Sequence, residues 1–199
     1  MIRAIVFICG TVVMSYEILG SRVLAPNFGN SIFVWGSLIS VFLAGLSAGY
    51  YIGGKLSDMN PSSRRLGLII AASGLFLLSY PLYGTAVCDW VFDRVPGIRS
   101  GPLVASLILF FVPSVCLGAV SPYAARLMIC SLHTSGSTIG SLYALSTLGS
   151  IAGTLLTSFY LITVAGVQRL IVAQGAILVL IAIPLFIMRL SCSTDEVRQ

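Results

Sequence analysis

Met14-Ser15-Tyr16-Glu17-Ile18-Leu19-Gly20-Ser21-Arg22-Val23-Leu24-Ala25-Pro26 is an apolar run that holds one carboxylate and one guanidinium. Each such charge costs about 2.5–3.5 kcal/mol at the centre of a bilayer helix on insertion scales, so it needs protein, water or the other charge as a partner. The rest of the chain must supply that enclosure. Its composition puts it in a membrane: 57% of residues are hydrophobic and 9% charged, where soluble domains carry about 25% charge. The 199 residues hold roughly six spans of about 20 residues with short connections. The expectation is one all-α transmembrane domain, residues 1–190, with a short polar tail, 191–199.

Span one covers residues 4–24 and stops at the Pro26, Asn27 and Gly29 cluster. Glu17 and the length of the run argue against a cleaved secretory signal. Span two, residues 32–56, carries Gly45, Gly49 and Gly53 at four-residue spacing, a face that lets another helix backbone come close. Span three, 66–87, contains Pro81 and should kink there. The connection 88–101, with Trp90 and Phe92, suits the water–lipid boundary. Span four, 102–128, holds Pro113, Gly118 and Pro122, so neighbours or water must satisfy the carbonyls these prolines free. Span five, 138–163, repeats the small-residue face with Gly140, Ala144, Gly149 and Gly153, and span six covers 168–188.

The net charge of +5 comes from eleven Lys and Arg residues scattered through loops and helix ends. Such scatter sets orientation rather than binding nucleic acid. With the amino terminus cytoplasmic, Arg3, Lys55, Arg64, Arg65, Arg126, Arg189 and Arg198 lie inside, and Arg22, Arg94, Arg99 and Arg169 outside. Both termini are then cytoplasmic. The five cysteines never fall at C-x-x-C spacing, and the one histidine, His133, lies in the connection 131–137. No metal or other cofactor is expected from them.

The halves echo each other. Spans two and five are rich in glycine at helical spacing, and spans one and four each end with an Arg near a Pro, Arg22 with Pro26 and Arg126 with Pro122. That pattern fits a 3+3 inverted repeat, the plan of each six-span half of a major facilitator transporter. Gly54-Lys55-Leu56-Ser57-Asp58, followed by Arg64 and Arg65, resembles the start of the loop signature between the second and third spans of that superfamily.

A closer resemblance is to the membrane portion of the fused major-facilitator/spermidine synthase family. It rests on Glu17 to Pro26, Phe28-Gly29-Asn30-Ser31, Trp35-Gly36, Gly49 to Asp58, Gly118-Ala119-Val120-Ser121-Pro122 and Leu142 to Thr154. The resemblance implies a six-helix bundle in the bacterial inner membrane. Family members usually continue into a soluble aminopropyltransferase-like domain. This chain has no G-x-G-x-x-G after a strand and only six acids, so it is expected not to be an enzyme.

Glu17 has two readings. It is a ligand or proton site for a cation, or it forms an ion pair with Arg22 or Arg126, with Ser21 as a bridge. Asp58 should tie helix ends together through Arg64, Arg65 or Arg126. Trp35, Tyr50, Tyr51 and Tyr143 are packing residues or the walls of an amine site. Three functions follow: a non-catalytic accessory or scaffolding subunit of a larger membrane assembly, a polyamine or small-cation carrier working as a homodimer, or a membrane anchor for a separately encoded spermidine synthase-like enzyme. The partners expected are the lipid bilayer and other membrane subunits or a second copy.

Overall fold

The computed structural model describes residues 1–59, 61–95, 97–129 and 135–187, and these contain helices and no strand. In order they are α1 (Ile2–Phe28), α2 (Ile32–Met59), α3 (Ser63–Leu78), α4 (Tyr80–Arg94), α5 (Ser100–Met128), α6 (Ser135–Leu156), a π-helical turn (Thr157–Leu161), α7 (Ile162–Val164) and α8 (Val167–Ile187). Five segments are long and apolar enough to cross a membrane: α1, α2, α5, the run from α6 through α7, and α8; α3 and α4, counted together as one bent segment, bring the number to six.

The α3–α4 pair is bent by 63°. Pro81 stands in the first turn of α4. It lacks the N–H that would continue the helix, and its ring crowds the carbonyl four residues back. The Phe76 carbonyl at the break is met by two hydroxyls, Ser79 at 2.9 Å and Tyr83 at 3.1 Å. The expected kink is therefore a break at Ser79. The pair still passes from one end of the bundle to the other. The backbone N–H of Ser62, just before α3, donates to the Tyr123 hydroxyl near the end of α5 at 3.1 Å. At the far end of α4, Asp89 accepts from Asn27 at 2.8 Å and Phe92 meets Phe28 with ring centres 6.0 Å apart, both on the last turns of α1.

Several expected boundaries move: Ser135 to Ser137 open α6 and Ser100 and Gly101 open α5, where connections were expected. Residues 88–94 are the last turns of α4 rather than a connection, because Cys88 and Val91 are buried and hold that segment on the bundle. Gly54 to Asp58 is the end of α2 rather than a loop, since the packing of α2 on α5 continues to Gly53 and Ala119. The connection at 130–134 with His133, and everything from Met188 through the polar tail, lie outside the described residues.

The helices pack as α2 on α5, α1 on α6 and α3 on α8, with α3 and α1 also against α5. In lipid, helix association relies on close van der Waals fit, so small residues mark the tightest seams. A Cβ on Gly53 would lie 2.5 Å from the Ala119 carbonyl oxygen, and one on Gly118 would lie 2.8 Å from that of Leu46. Between α3 and α8, Gly74 and Gly175 face each other's carbonyls at 2.9 and 2.8 Å by the same measure. Gly140 meets nothing within 4 Å and does not share in the seam. Where α1, α2 and α5 converge, Tyr16, Phe42 and Phe110 form a buried aromatic cluster with ring centres 5.2 to 5.7 Å apart.

Candidate functional site

The seams between α2 and α5 and between α1 and α6 use matching positions. Gly49 approaches the Val115 carbonyl, and Gly149 approaches that of Phe7; Gly53 approaches Ala119, and Gly153 approaches Thr11; Gly118 approaches Leu46, and Gly10 approaches Ser146. One hundred positions carry 46, 49 and 53 onto 146, 149 and 153, and one hundred and eight carry 7, 10 and 11 onto 115, 118 and 119.

Between these four helices lies a cavity of about 150 Å³, lined by Cys9, Gly10, Val13 and Met14 of α1, Leu46 and Tyr50 of α2, Leu117, Gly118 and Ser121 of α5, and Tyr143, Ser146, Thr147 and Ser150 of α6. Most of these residues fall into the same pairs: Cys9 with Leu117, Gly10 with Gly118, Val13 with Ser121, Leu46 with Ser146 and Tyr50 with Ser150. Among the described residues, no charged side chain lines it. Thr147 donates to the Tyr143 carbonyl at 2.9 Å, and Ser150 donates to the carbonyls of Gly10 at 3.3 Å and Ser146 at 3.1 Å. The hydroxyls of Tyr50, Ser121, Tyr143 and Ser146 make no hydrogen bond among the described residues. Of the four aromatic candidates, Tyr50 and Tyr143 come together here; Tyr51 instead packs under Lys55, whose Nζ stands 5.0 Å from the ring centre.

Glu17 stands three residues beyond Met14 and seven beyond Gly10, so it shares their helical stripe one turn past the lining. It is half-buried and makes no ion pair or hydrogen bond with any described residue. Arg22 is exposed and is not brought to it. Ser21 does not bridge them; its hydroxyl bonds back to the Ile18 carbonyl at 2.8 Å. Arg126 pairs with Asp58 instead, Nε to Oδ1 at 3.8 Å, both well exposed. A pair of that kind contributes about 0–1 kcal/mol. Asp58 thus ties the end of α2 to the end of α5. Gly54 faces open space, while Leu56, Arg64 and Arg65 are exposed around that junction.

The sequence reading missed a buried polar cluster. The Ser15 and Thr157 hydroxyl oxygens are 2.5 Å apart, and Gln174 Nε2 donates to Ser15 Oγ at 2.5 Å, joining α1, the π-helical turn and α8. Gln174 Oε1 is buried with no partner among the described residues. Three polar residues on three apolar spans were the only available signal. Among the described residues, no three His, Cys, Asp or Glu side chains gather as a metal site requires. Compared with protein-family models, curated proteins and solved structures, the chain matches none.

Proposed function

We propose that the protein is a solute-carrying membrane module built as a 3+3 inverted repeat, with the cavity between α1, α2, α5 and α6 as its solute seat. The observation that carries this reading is the pairing of the cavity lining under the two constant steps in chain position. The start of α5 lies beside the end of α1, with Gly101 against Phe28, so the two run in opposite senses, as an inverted repeat requires. A cavity on the axis that relates two halves is where transporters of this plan hold solute. Orientation follows the basic residues, with the Asp58–Arg126 end cytoplasmic.

The outward surface of α6 favours completion by a second copy. Within α6 only Leu142, Gly149 and Gly153 are buried, and Tyr143 and Thr147 both line the cavity and reach the surface. An accessory subunit of a larger assembly is the second reading, since the same bare face would suit a different membrane partner. Reconstitution into liposomes separates them. Flux of a small solute, abolished by Thr147→Trp in a protein that still purifies as one species, supports the carrier. Absence of flux for every solute class, with stable association to another subunit, supports the accessory role.

A further inference from the structure

We infer that the solute is small, uncharged and hydroxylated, a short polyol or sugar, rather than an amine or an acid. This rests on the reading of the cavity as a solute seat. An ionised ligand brought out of water needs an opposite charge or dense hydrogen bonding, and none of the lining residues is charged. Glu17, the one acid on that stripe, lies a turn beyond them.

The lining instead matches the C–OH group, which both donates and accepts. Ser121, Ser146, Tyr50 and Tyr143 present hydroxyls that make no hydrogen bond among the described residues. Thr147 and Ser150 have spent their protons on backbone carbonyls, so toward a ligand their oxygens can act only as acceptors. Val13, Met14, Leu46 and Leu117 supply the apolar wall for the carbon skeleton, the usual division of labour in a small-molecule pocket. A volume near 150 Å³ is that of a cavity able to hold benzene, which sets the ligand at about six to ten non-hydrogen atoms.

The test is equilibrium binding of radiolabelled erythritol, ribose, putrescine and succinate to the purified full chain in detergent. We expect saturable binding of erythritol or ribose, weakened roughly three- to tenfold by Ser146→Ala and by Tyr143→Phe, each of which removes about one hydrogen bond. Glu17→Gln should leave that binding unchanged. Saturable putrescine or succinate binding without polyol binding would overturn the inference and leave the carrier reading standing. Polyol binding indifferent to both hydroxyl deletions would also overturn it. If none of the four probes binds, the solute-seat reading falls, and this inference with it.

Discussion

The Tyr16 hydroxyl on α1 donates to the Leu109 carbonyl oxygen on α5 at 3.2 Å. Leu109 is four residues before Pro113, so its carbonyl is the one that a helical N–H would have satisfied had residue 113 not been proline. A side chain from another span supplies the missing donor, which is how a proline persists inside an unbroken bilayer helix.

Tyr16→Phe should therefore destabilise the fold by about 1–2 kcal/mol, read as a loss of thermal stability in detergent. The cost should shrink in the Pro113→Ala background, where residue 113 regains its N–H. Equal losses in both backgrounds would show that the hydroxyl and the proline are not coupled.

The seams predict matched sensitivity. Gly49→Leu and Gly149→Leu each drive a side chain into a facing backbone carbonyl, of Val115 and Phe7 respectively, and should both abolish monodisperse expression. Gly140→Leu, which meets nothing within 4 Å, should be tolerated. Size-exclusion profiles check this, and a tolerated Gly149→Leu would contradict the α1–α6 seam.

The polar cluster separates deletion from orphaning. Ser15→Ala strips partners from both Thr157 and Gln174 and should cost about 1–3 kcal/mol, whereas Gln174→Leu removes an amide that already carries an unpartnered oxygen and should be near neutral. Thermal unfolding of the two variants side by side gives the comparison. A costlier Gln174→Leu would mean that its Oε1 has a partner in the membrane.

Glu17→Gln should leave thermal stability and assembly intact, because no described residue pairs with the carboxylate. Loss of folding on this change would instead reveal a guanidinium that depends on it, at about 3–5 kcal/mol for breaking a buried pair.

Introduced cysteines test the orientation. A cysteine at Gly97 should label from outside intact cells and one at Ser62 should not; the opposite pattern would invert the topology.

Hydrophobic runs and proline positions made the number of spans legible in the sequence, and four-residue glycine spacing marked the faces of α2 and α6 that form the seams. Their partners were not legible, because a seam has two sides and the facing residues, Phe7, Thr11 and Val115, contribute only backbone. The Asp58–Arg126 tie was among the pairings expected from placing both residues at helix ends on the same side of the membrane. The cavity was less visible: Ser, Thr and Tyr in membrane helices commonly bond their own backbone, as Thr147 does, so no local pattern distinguishes a lining hydroxyl from an idle one.

Each close seam joins a helix from the first half of the chain to one from the second, α2 to α5, α1 to α6 and α3 to α8. None forms between neighbours in sequence. During synthesis, then, the first three spans enter the bilayer with their glycine faces bare, and remain so until their partners follow. Until α5 emerges, the growing chain holds only lesser contacts among its first spans, such as Asn27 with Asp89 and Tyr16 with Phe42, and none of its three seams.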